Sequence, residues 1–335
     1  MFRRVALAVA LVASTSVSVA AQSAYSGVFF FGTSELDAGN WLLNPTLSSN
    51  ALAPTADKGY WNGRWQSGPG WSDYLAQALG FSATPSLAGG NNYAYGVGWM
   101  GPLDGEAAPT PGTLRANPAL WFGSQVDAAL TANSNTLASD ALYVVSIGFN
   151  DVGFWGRAVS EADDVANLAL EEIQRLVDAG ATNFLVQTLG GTDEYVTTYN
   201  ATLLNGLAAI NGIDVSVLDT RIFNQTIIQP QLEGLGITYS PFTPGPYPNC
   251  LADPACRAAA IAATTAGEQY LDSPYFNFDN VHRDPKVAEA LANYAITQLP
   301  PAMVPEPDMV WLLAVGIAGL GWWRRRRRDR HPRAA

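Results

Sequence analysis

A run of apolar residues that ends in Gly-Thr-Ser constrains the fold of this chain more than any other feature. Val28 to Phe31 carry four bulky apolar side chains in succession, without polar alternation. Such a run is typical of a strand buried on both faces, as in a parallel sheet covered by helices. Gly32 ends this strand, and Ser34 follows in the expected strand-to-helix turn. Open α/β sheets bind ligands at this carboxyl edge, so Ser34 is either a site residue or an ordinary helix cap.

Further apolar runs and amphipathic segments alternate along the chain. Three more runs predict strands, at residues 141–147, 183–188 and 215–219, and a short strand is expected near 83–88. Helical periodicity predicts helices at 71–79, 120–130, 160–179 (with Ser160 as a cap), 194–207 and 285–299. Residues 41–70 are expected to form a surface excursion, and residues 225–270 to be mostly loop. Alternating strands and helices indicate an α/β fold with a doubly wound, mostly parallel sheet.

The first 21 residues have the parts of a secretory signal peptide. Arg3 and Arg4 precede an apolar run, and Val19-Ala20-Ala21 follows it. The apolar run is too short for a membrane-spanning helix, so we expect residues 1–21 to be removed by cleavage after Ala21.

The C-terminus has three parts in a diagnostic order. Pro305-Glu306-Pro307 precedes a mostly apolar run from 309 to 323, and five arginines follow at 324–328. A helix of this run would cover about 22 Å, less than a bilayer core of about 30 Å. The arginines would remain on the cytoplasmic side. Residues 304–328 resemble the PEP-CTERM sorting signal of Gram-negative bacteria, and 329–335 form a tail.

The PEP-CTERM resemblance implies a route out of the cell. The protein would be exported and held transiently in the inner membrane by a short transmembrane helix. An exosortase-type protease would then cleave near the Pro-Glu-Pro, and the product would reside at the cell surface or outside the cell.

The region between the two signals, residues 22–303, suits one large α/β domain in length. The whole chain has a net charge of −11, and nine of its 18 basic residues lie in the two terminal segments. Residues 22–308 therefore carry a net charge near −19. Such a surface repels nucleic acids and anionic membranes, so no nucleic-acid partner is expected.

Cys250 and Cys256 are the two cysteines of the chain, and they lie in a Pro-rich region. In an exported protein this spacing predicts a local disulfide. A disulfide that closes a loop this short stabilises the folded protein by roughly 2 kcal/mol. A metal site is not expected, because no histidine lies nearby in the sequence.

Histidine is scarce in this chain, and that scarcity narrows the possible chemistry. Of the two histidines, His331 lies in the C-terminal tail. A serine needs a base to become a nucleophile, so any imidazole partner of Ser34 would be His282. Asp279 precedes His282 by three residues and could orient its ring, although such pairs are also common at helix starts.

Two further positions could stabilise an oxyanion beside Ser34. Asn150 follows the predicted strand 141–147 within Gly148-Phe149-Asn150-Asp151, and its amide could donate to a developing negative charge. Gly90 follows the expected short strand and could bring a backbone N–H close to the same atom. Each residue could equally be a turn residue without a role in chemistry.

Four sequence blocks, in order, resemble the GDSL, or SGNH, hydrolase family over most of residues 28–298. The segment from Gly63 to Leu75 further resembles the secreted lipase/esterase branch of that family. The blocks are Phe31-Gly32-Thr33-Ser34-Glu35-Leu36-Asp37-Ala38-Gly39-Asn40, Gly90-Asn91-Asn92-Tyr93-Ala94, Gly148-Phe149-Asn150-Asp151 and Asp279-Asn280-Val281-His282.

The family resemblance implies a three-layer, flavodoxin-like fold and a cofactor-independent hydrolysis of carboxylic esters through an acyl-enzyme. It implies Ser34 as nucleophile, His282 as base and Asp279 as the third triad member. The oxyanion donors would be the Ser34 amide, Gly90 and Asn150. The substrate would be a small-molecule, lipid or acylated-sugar ester.

The first block departs from the family pattern on both sides of the serine. Thr33 stands where the family has aspartate, and Glu35 stands where leucine is usual. Two alternatives therefore stay open: a non-catalytic cell-surface or biofilm-matrix protein that reuses the fold, and an exopolysaccharide deacetylase. The aromatic residues between Tyr60 and Trp99 fit either loop packing or contacts with a sugar or an acyl group.

Overall fold

The structure, a computed structural model, describes residues 25–230 and 249–300. The predicted signal peptide and the predicted PEP-CTERM segment, with its short transmembrane helix, lie outside these residues. In the part of the chain that is described, no helix combines the length and apolar character needed to cross a membrane.

A parallel sheet forms the centre of the fold. Its strands are β1 (Val28–Gly32), β2 (Leu142–Ser146), β3 (Asn183–Gln187) and β4 (Asp214–Leu218). Within the described residues they lie side by side in the order β1-β2-β3-β4, and each neighbouring pair is parallel. Every residue of β1 and β2 is buried, as their uninterrupted apolar runs predict. The predicted α/β class is confirmed.

The described helices lie between the strands and after the last of them. They are α1 (Asn40–Leu43), α2 (Trp71–Ala78), α3 (Phe122–Ala132), α4 (Phe149–Gly153), α5 (Ala162–Asp178), α6 (Glu194–Ala209), α7 (Thr220–Phe223), α8 (Pro254–Thr265) and α9 (Pro285–Gln298). A π-helical segment, Asn224–Ile228, continues α7.

Helices cover both faces of the sheet and so produce three layers. Alternate side chains of β1, such as Phe29 and Phe31, point to one face and pack with α3, α5 and α6. Phe30 points to the other face and packs with α2 and α9. A parallel sheet of apolar strands needs helices on both sides, because either face left open would expose its side chains to water.

The short strand expected near residues 83–88 is not formed. Residues Ser86–Ala88 form a single 3-10 turn, and single-residue bridges join Asn92 to Phe30 and to Pro85. The Phe30 N–H donates to Asn91, and the Tyr93 N–H donates to Phe30. The chain therefore passes along the outer edge of β1 for about one residue, too briefly for a strand.

Two loop predictions also need correction. Residues 225–270 contain α8, whose first turn is capped by the Asp253 carboxylate with Pro254 at the first helical position. Residues 41–70 are more than a surface excursion, because Trp41 and Trp65 are buried in a separate apolar cluster. In addition, α5 begins at Ala162, beyond the predicted cap Ser160.

A disulfide joins Cys250 and Cys256, whose Cα atoms are 5.1 Å apart. The segment that it closes runs beside the chain leading to Asp279. The Leu251 N–H donates to the Phe278 carbonyl at 3.0 Å. The disulfide therefore anchors a segment that supports the loop before α9.

Candidate active site

Three of the predicted site residues, Ser34, Asn150 and His282, lie at the carboxyl edge of the sheet. Ser34 follows β1 directly, and Asn150 lies in α4, directly after β2. His282 lies in the loop before α9. Their exposed fractions are similar, at 8% for Ser34, 7% for Asn150 and 8% for His282. These side chains are thus shielded from bulk water while keeping a path to it.

The turn that carries Ser34 is closed by backbone hydrogen bonds and ends at a buried carboxylate, Asp37. The Thr33 carbonyl accepts the Leu36 and Asp37 N–H groups, both at 3.0 Å. Burial raises the pKa of Asp37, although its hydrogen bonds act in the opposite direction. The donors to Asp37 are Gly39 N–H, Asn40 N–H, Gly96 N–H and Trp65 Nε1. The Thr33 carbonyl therefore closes this turn, and the Asp37 carboxylate joins its end to Gly96 and Trp65.

His282 and Asp279 form a close pair. The His282 Nδ1 atom lies 2.8 Å from Asp279 Oδ2. Asp279 Oδ1 accepts the backbone N–H groups of Val281 and His282, at 2.8 and 2.7 Å. Burial acts to raise the pKa of Asp279, but His282 and these N–H groups together lower it to about 2. An ionised carboxylate only accepts, so Nδ1 carries a hydrogen and Nε2 is left for proton transfer.

Contacts on two sides hold the Ser34 turn against the His282 loop. Glu35, which follows Ser34, and Arg283, which follows His282, form a partly buried ion pair. On the other side, the Trp65 ring lies 5.2 Å from the His282 ring. Trp65 also donates through Nε1 to the Asp37 carboxylate at 3.3 Å. The two chain segments are thus joined through side chains that flank the predicted nucleophile and base.

The Glu35–Arg283 pair lies in a confined space. Together with Gln66, Trp71 and His282, it lines a pocket with room for about one water molecule. Burial lowers the pKa of Arg283 to about 10, so this guanidinium keeps its charge at neutral pH. A charged group in such a place depends on its partner carboxylate.

Asn150 is positioned by a contact with the segment that follows the second sequence block. Its Nδ2 donates to the Gly98 carbonyl at 2.9 Å. Gly98 in turn packs on the end of β1, because a Cβ at this position would lie 2.5 Å from the Gly32 carbonyl oxygen. An amide nitrogen carries two hydrogens, so the second N–H of Asn150 is available to another acceptor.

Gly90 does not offer the donor that was expected of it. Its N–H donates to the Pro85 carbonyl at 3.0 Å. A Cβ on Gly90 would lie 2.1 Å from the Thr84 carbonyl oxygen, so the turn itself requires glycine here. The structure therefore favours the turn interpretation, since a hydrogen-bonded amide has no free N–H for an oxyanion.

Val97 is a feature that sequence reasoning missed. Its φ of 54° places a β-branched residue in the left-handed region, which is a strained conformation. Its carbonyl accepts Trp155 Nε1 at 3.3 Å. Across residues 25–230 and 249–300, the N–H groups of Val97 and Ser34 donate to no acceptor. No sequence signal identifies Val97, because valine is the residue type least expected at positive φ.

Tyr60 was also missed as an individual residue. Its hydroxyl donates to Asp279 Oδ2 at 2.8 Å across more than two hundred residues of sequence. The aromatic content of residues 60–99 was a visible signal, but composition does not reveal which carboxylate a tyrosine reaches. Likewise, Glu35 and Arg283 are so far apart in the sequence that no spacing rule predicts their ion pair.

Among the residues that the structure describes, no group of three or more His, Cys, Asp or Glu side chains is arranged to hold a metal ion. The arrangement at the sheet edge consists instead of a hydroxyl, an imidazole–carboxylate pair and several amide donors. Such a set is suited to nucleophilic attack on a carbonyl group.

Comparison with known proteins agrees with this chemistry. Residues 28–295 match the family model described as GDSL-like Lipase/Acylhydrolase, and residues 304–327 match the PEP-CTERM protein-sorting motif. The chain is also similar to Lipase 1 of Photorhabdus luminescens, with 29% identity over 170 residues. That alignment covers 50% of this chain and 22% of the lipase, so the chain matches about a fifth of this curated relative's length.

Proposed function

The chain belongs to the GDSL-like lipase/acylhydrolase family, and on that premise we propose that it is an exported serine hydrolase of carboxylic esters. The observation that carries this proposal is the His282–Asp279 pair, held against the Ser34 turn by Trp65. The PEP-CTERM motif supports export and processing by an exosortase-type protease.

In the proposed reaction, the Ser34 hydroxyl attacks the carbonyl carbon of the ester. The new bond forms between Oγ and this carbon, while the hydroxyl proton passes to His282 Nε2. The resulting imidazolium is stabilised by Asp279, which stays ionised because its pKa is lowered to about 2. The carbonyl electron pair moves onto the oxygen and creates an oxyanion.

Three donors are proposed for this oxyanion. They are the second N–H of the Asn150 side chain and the backbone N–H groups of Ser34 and Val97. Each has a hydrogen without an acceptor within the described residues, and the Asn150 and Val97 donors flank Gly98, which packs on the end of β1. A donor of this type is typically worth about 3 kcal/mol in the transition state.

The second half of the proposed reaction restores the enzyme. The tetrahedral intermediate collapses, and the alcohol leaves with the proton held by His282. Water then attacks the acyl carbon and gives a proton to His282. The bond from this carbon to Ser34 Oγ breaks, His282 returns the proton to Oγ, and the carboxylic acid leaves. The cycle consumes one water and needs no cofactor. The acyl group could come from a small-molecule, lipid or acylated-sugar ester.

The proposal is tested by covalent labelling of the nucleophile. The purified full-length chain is treated with a fluorophosphonate and its intact mass is measured, together with the variants Ser34→Ala and Ser146→Ala. Ser146 is the matched control, because it also lies at the carboxyl end of a buried strand. We expect a single adduct on the wild type and on Ser146→Ala, and none on Ser34→Ala.

A folded wild type that forms no adduct would contradict the proposed function. The replacement of the family's aspartate by Thr33 would then favour a non-catalytic surface or matrix protein. If the adduct forms, comparison of acetylated xylan with p-nitrophenyl esters of increasing chain length would separate a deacetylase from a lipase.

A further inference from the structure

Asp279 accepts a fourth hydrogen bond, which comes from a side chain remote in the sequence. The Tyr60 hydroxyl lies 2.8 Å from Asp279 Oδ2, the same oxygen that contacts His282 Nδ1 at 2.8 Å. The other oxygen, Oδ1, is occupied by two backbone N–H groups. The Tyr60 hydroxyl and the imidazole therefore share one carboxylate oxygen.

The Tyr60 side chain is held firmly in this position. Its ring packs edge-on against Phe278 and Trp65, with centroid distances of 5.3 and 6.2 Å. Its backbone N–H donates to the Thr55 carbonyl at 3.2 Å. Burial and the nearby Asp279 charge raise the pKa of Tyr60, so the hydroxyl remains a hydrogen-bond donor throughout the neutral and mildly alkaline range.

We propose that Tyr60 is a positioning residue of the active site, which fixes the Asp279 carboxylate and limits how strongly it attracts a proton onto His282. The inference rests on the proposed function, because it assigns Tyr60 a role in the same reaction. A hydrogen bond to an ionised carboxylate draws negative charge toward the donor. With Tyr60 in place, Oδ2 stabilises the imidazolium less than a carboxylate bonded to His282 alone would.

Other charged groups face this pair, and none replaces the Tyr60 hydroxyl. Arg283 follows His282 but is paired with Glu35. The Asp37 carboxylate accepts its hydrogen bonds from the N–H groups of Gly39, Asn40 and Gly96 and from Trp65 Nε1, and none from Tyr60 or His282. Within the described residues, the side chains that donate to Asp279 are Tyr60 and His282.

The variant Tyr60→Phe keeps the ring packing and removes the hydroxyl. We expect kcat for a p-nitrophenyl ester to fall roughly tenfold, since general base catalysis depends on the position of the imidazole. We expect KM to change less than about twofold, because Tyr60 is not proposed to touch the substrate. The acid limb of the kcat profile should move to higher pH, because a carboxylate without the Tyr60 hydrogen bond stabilises the imidazolium more strongly.

The matched control is Tyr275→Phe. The Tyr275 hydroxyl donates to Asp253 Oδ2 at 2.7 Å, which is the same chemical pair placed at the start of α8. This variant should retain the wild-type kcat and pH profile. A second test introduces Tyr60→Phe into an Asp279→Asn background, where the shift of the acid limb should disappear. That result would show that the hydroxyl acts through the carboxylate rather than through general stability.

Two outcomes would overturn the inference. One is a kcat profile of Tyr60→Phe that coincides with the wild type, and the other is an equal shift in Tyr275→Phe. A wild-type full-length chain that neither hydrolyses esters nor accepts a fluorophosphonate would instead refute the proposed function itself, so the two failures are distinguishable.

Discussion

Replacing Glu35 by leucine, the residue usual in the family, should destabilise this protein rather than improve it. The carboxylate of Glu35 is paired with Arg283, and its other oxygen accepts Gln187 Nε2 at 3.2 Å. Glu35→Leu removes the negative charge and takes from the Arg283 guanidinium the ionic partner that it has in its confined pocket.

The size of the effect follows from the burial of the pair. A fully buried charge that loses its partner costs about 3–5 kcal/mol. The side chains of Glu35 and Arg283 are 24% and 17% exposed, so solvent relieves part of that cost. We therefore expect Glu35→Leu to lower the free energy of unfolding by about 2 kcal/mol. The double variant Glu35→Leu, Arg283→Leu should recover most of this loss, because no charge is then left unpaired.

A double-mutant cycle measured by urea unfolding of the full chain tests this reasoning. The coupling energy between Glu35 and Arg283 should exceed about 1.5 kcal/mol. The control cycle uses Arg175 and Asp127, an ion pair whose side chains are 41% and 62% exposed, and its coupling should stay below about 0.5 kcal/mol. Equal coupling energies in the two cycles would refute the argument that burial increases the contribution of the Glu35–Arg283 pair to stability.

Three further perturbations follow from the structure. The pKa of Asp279 is lowered to about 2 from 3.8, so its charge should add about 2 kcal/mol to the free energy of unfolding above pH 4. This contribution should be lost as the pH falls through 2, and Asp279→Asn should lack it. Gly148→Ala should lower the free energy of unfolding by about 3 kcal/mol, because φ is +100° and the methyl group would lie 2.6 Å from the Tyr199 ring. Gly212→Ala, whose methyl group would meet open space, should lower it by about 1 kcal/mol. Cys256→Ser, which lacks the disulfide, should have a free energy of unfolding lower by roughly 2 kcal/mol.

Denaturant unfolding checks all three, and each has a contrary result. An Asp279→Asn variant that loses as much stability as the wild type between pH 5 and pH 2 would contradict the linkage argument. Equal losses for the two alanine variants would show that the ring contact of Gly148 is relieved at no cost. A Cys256→Ser variant as stable as the oxidised wild type would mean that the disulfide closes a loop already ordered in the unfolded chain.

Local patterns in the sequence were sufficient to predict the strands of the sheet and the polar residues that follow them. The apolar runs that became β1 and β2 are buried on both faces, and chain order then leaves few parallel arrangements. Asp279 and His282 are three residues apart, so one turn of backbone brings their side chains together. Cys250 and Cys256 are similarly close, and they form the disulfide that their spacing predicts.

The misjudged positions depend on where distant segments meet. Gly90 had the composition of a close-approach glycine, but its N–H is used within its own turn. Val97 has positive φ and an N–H without an acceptor among the described residues, and its neighbours Gly96 and Gly98 contact Asp37 and Gly32. No propensity scale favours valine there, so tertiary contacts override the local preference.

The sequence by itself thus determined the α/β class, and it predicted the serine, histidine and aspartate at the carboxyl edge. These features follow from hydrophobic periodicity and short-range spacing, which act within a few residues. Only the tertiary structure decided that Tyr60 bonds to Asp279 and that Glu35 pairs with Arg283. It also decided that the Val97 N–H meets no acceptor in the described part of the chain. Those contacts form because the folded sheet brings together loops from opposite ends of the chain, and no local pattern encodes which side chains then meet.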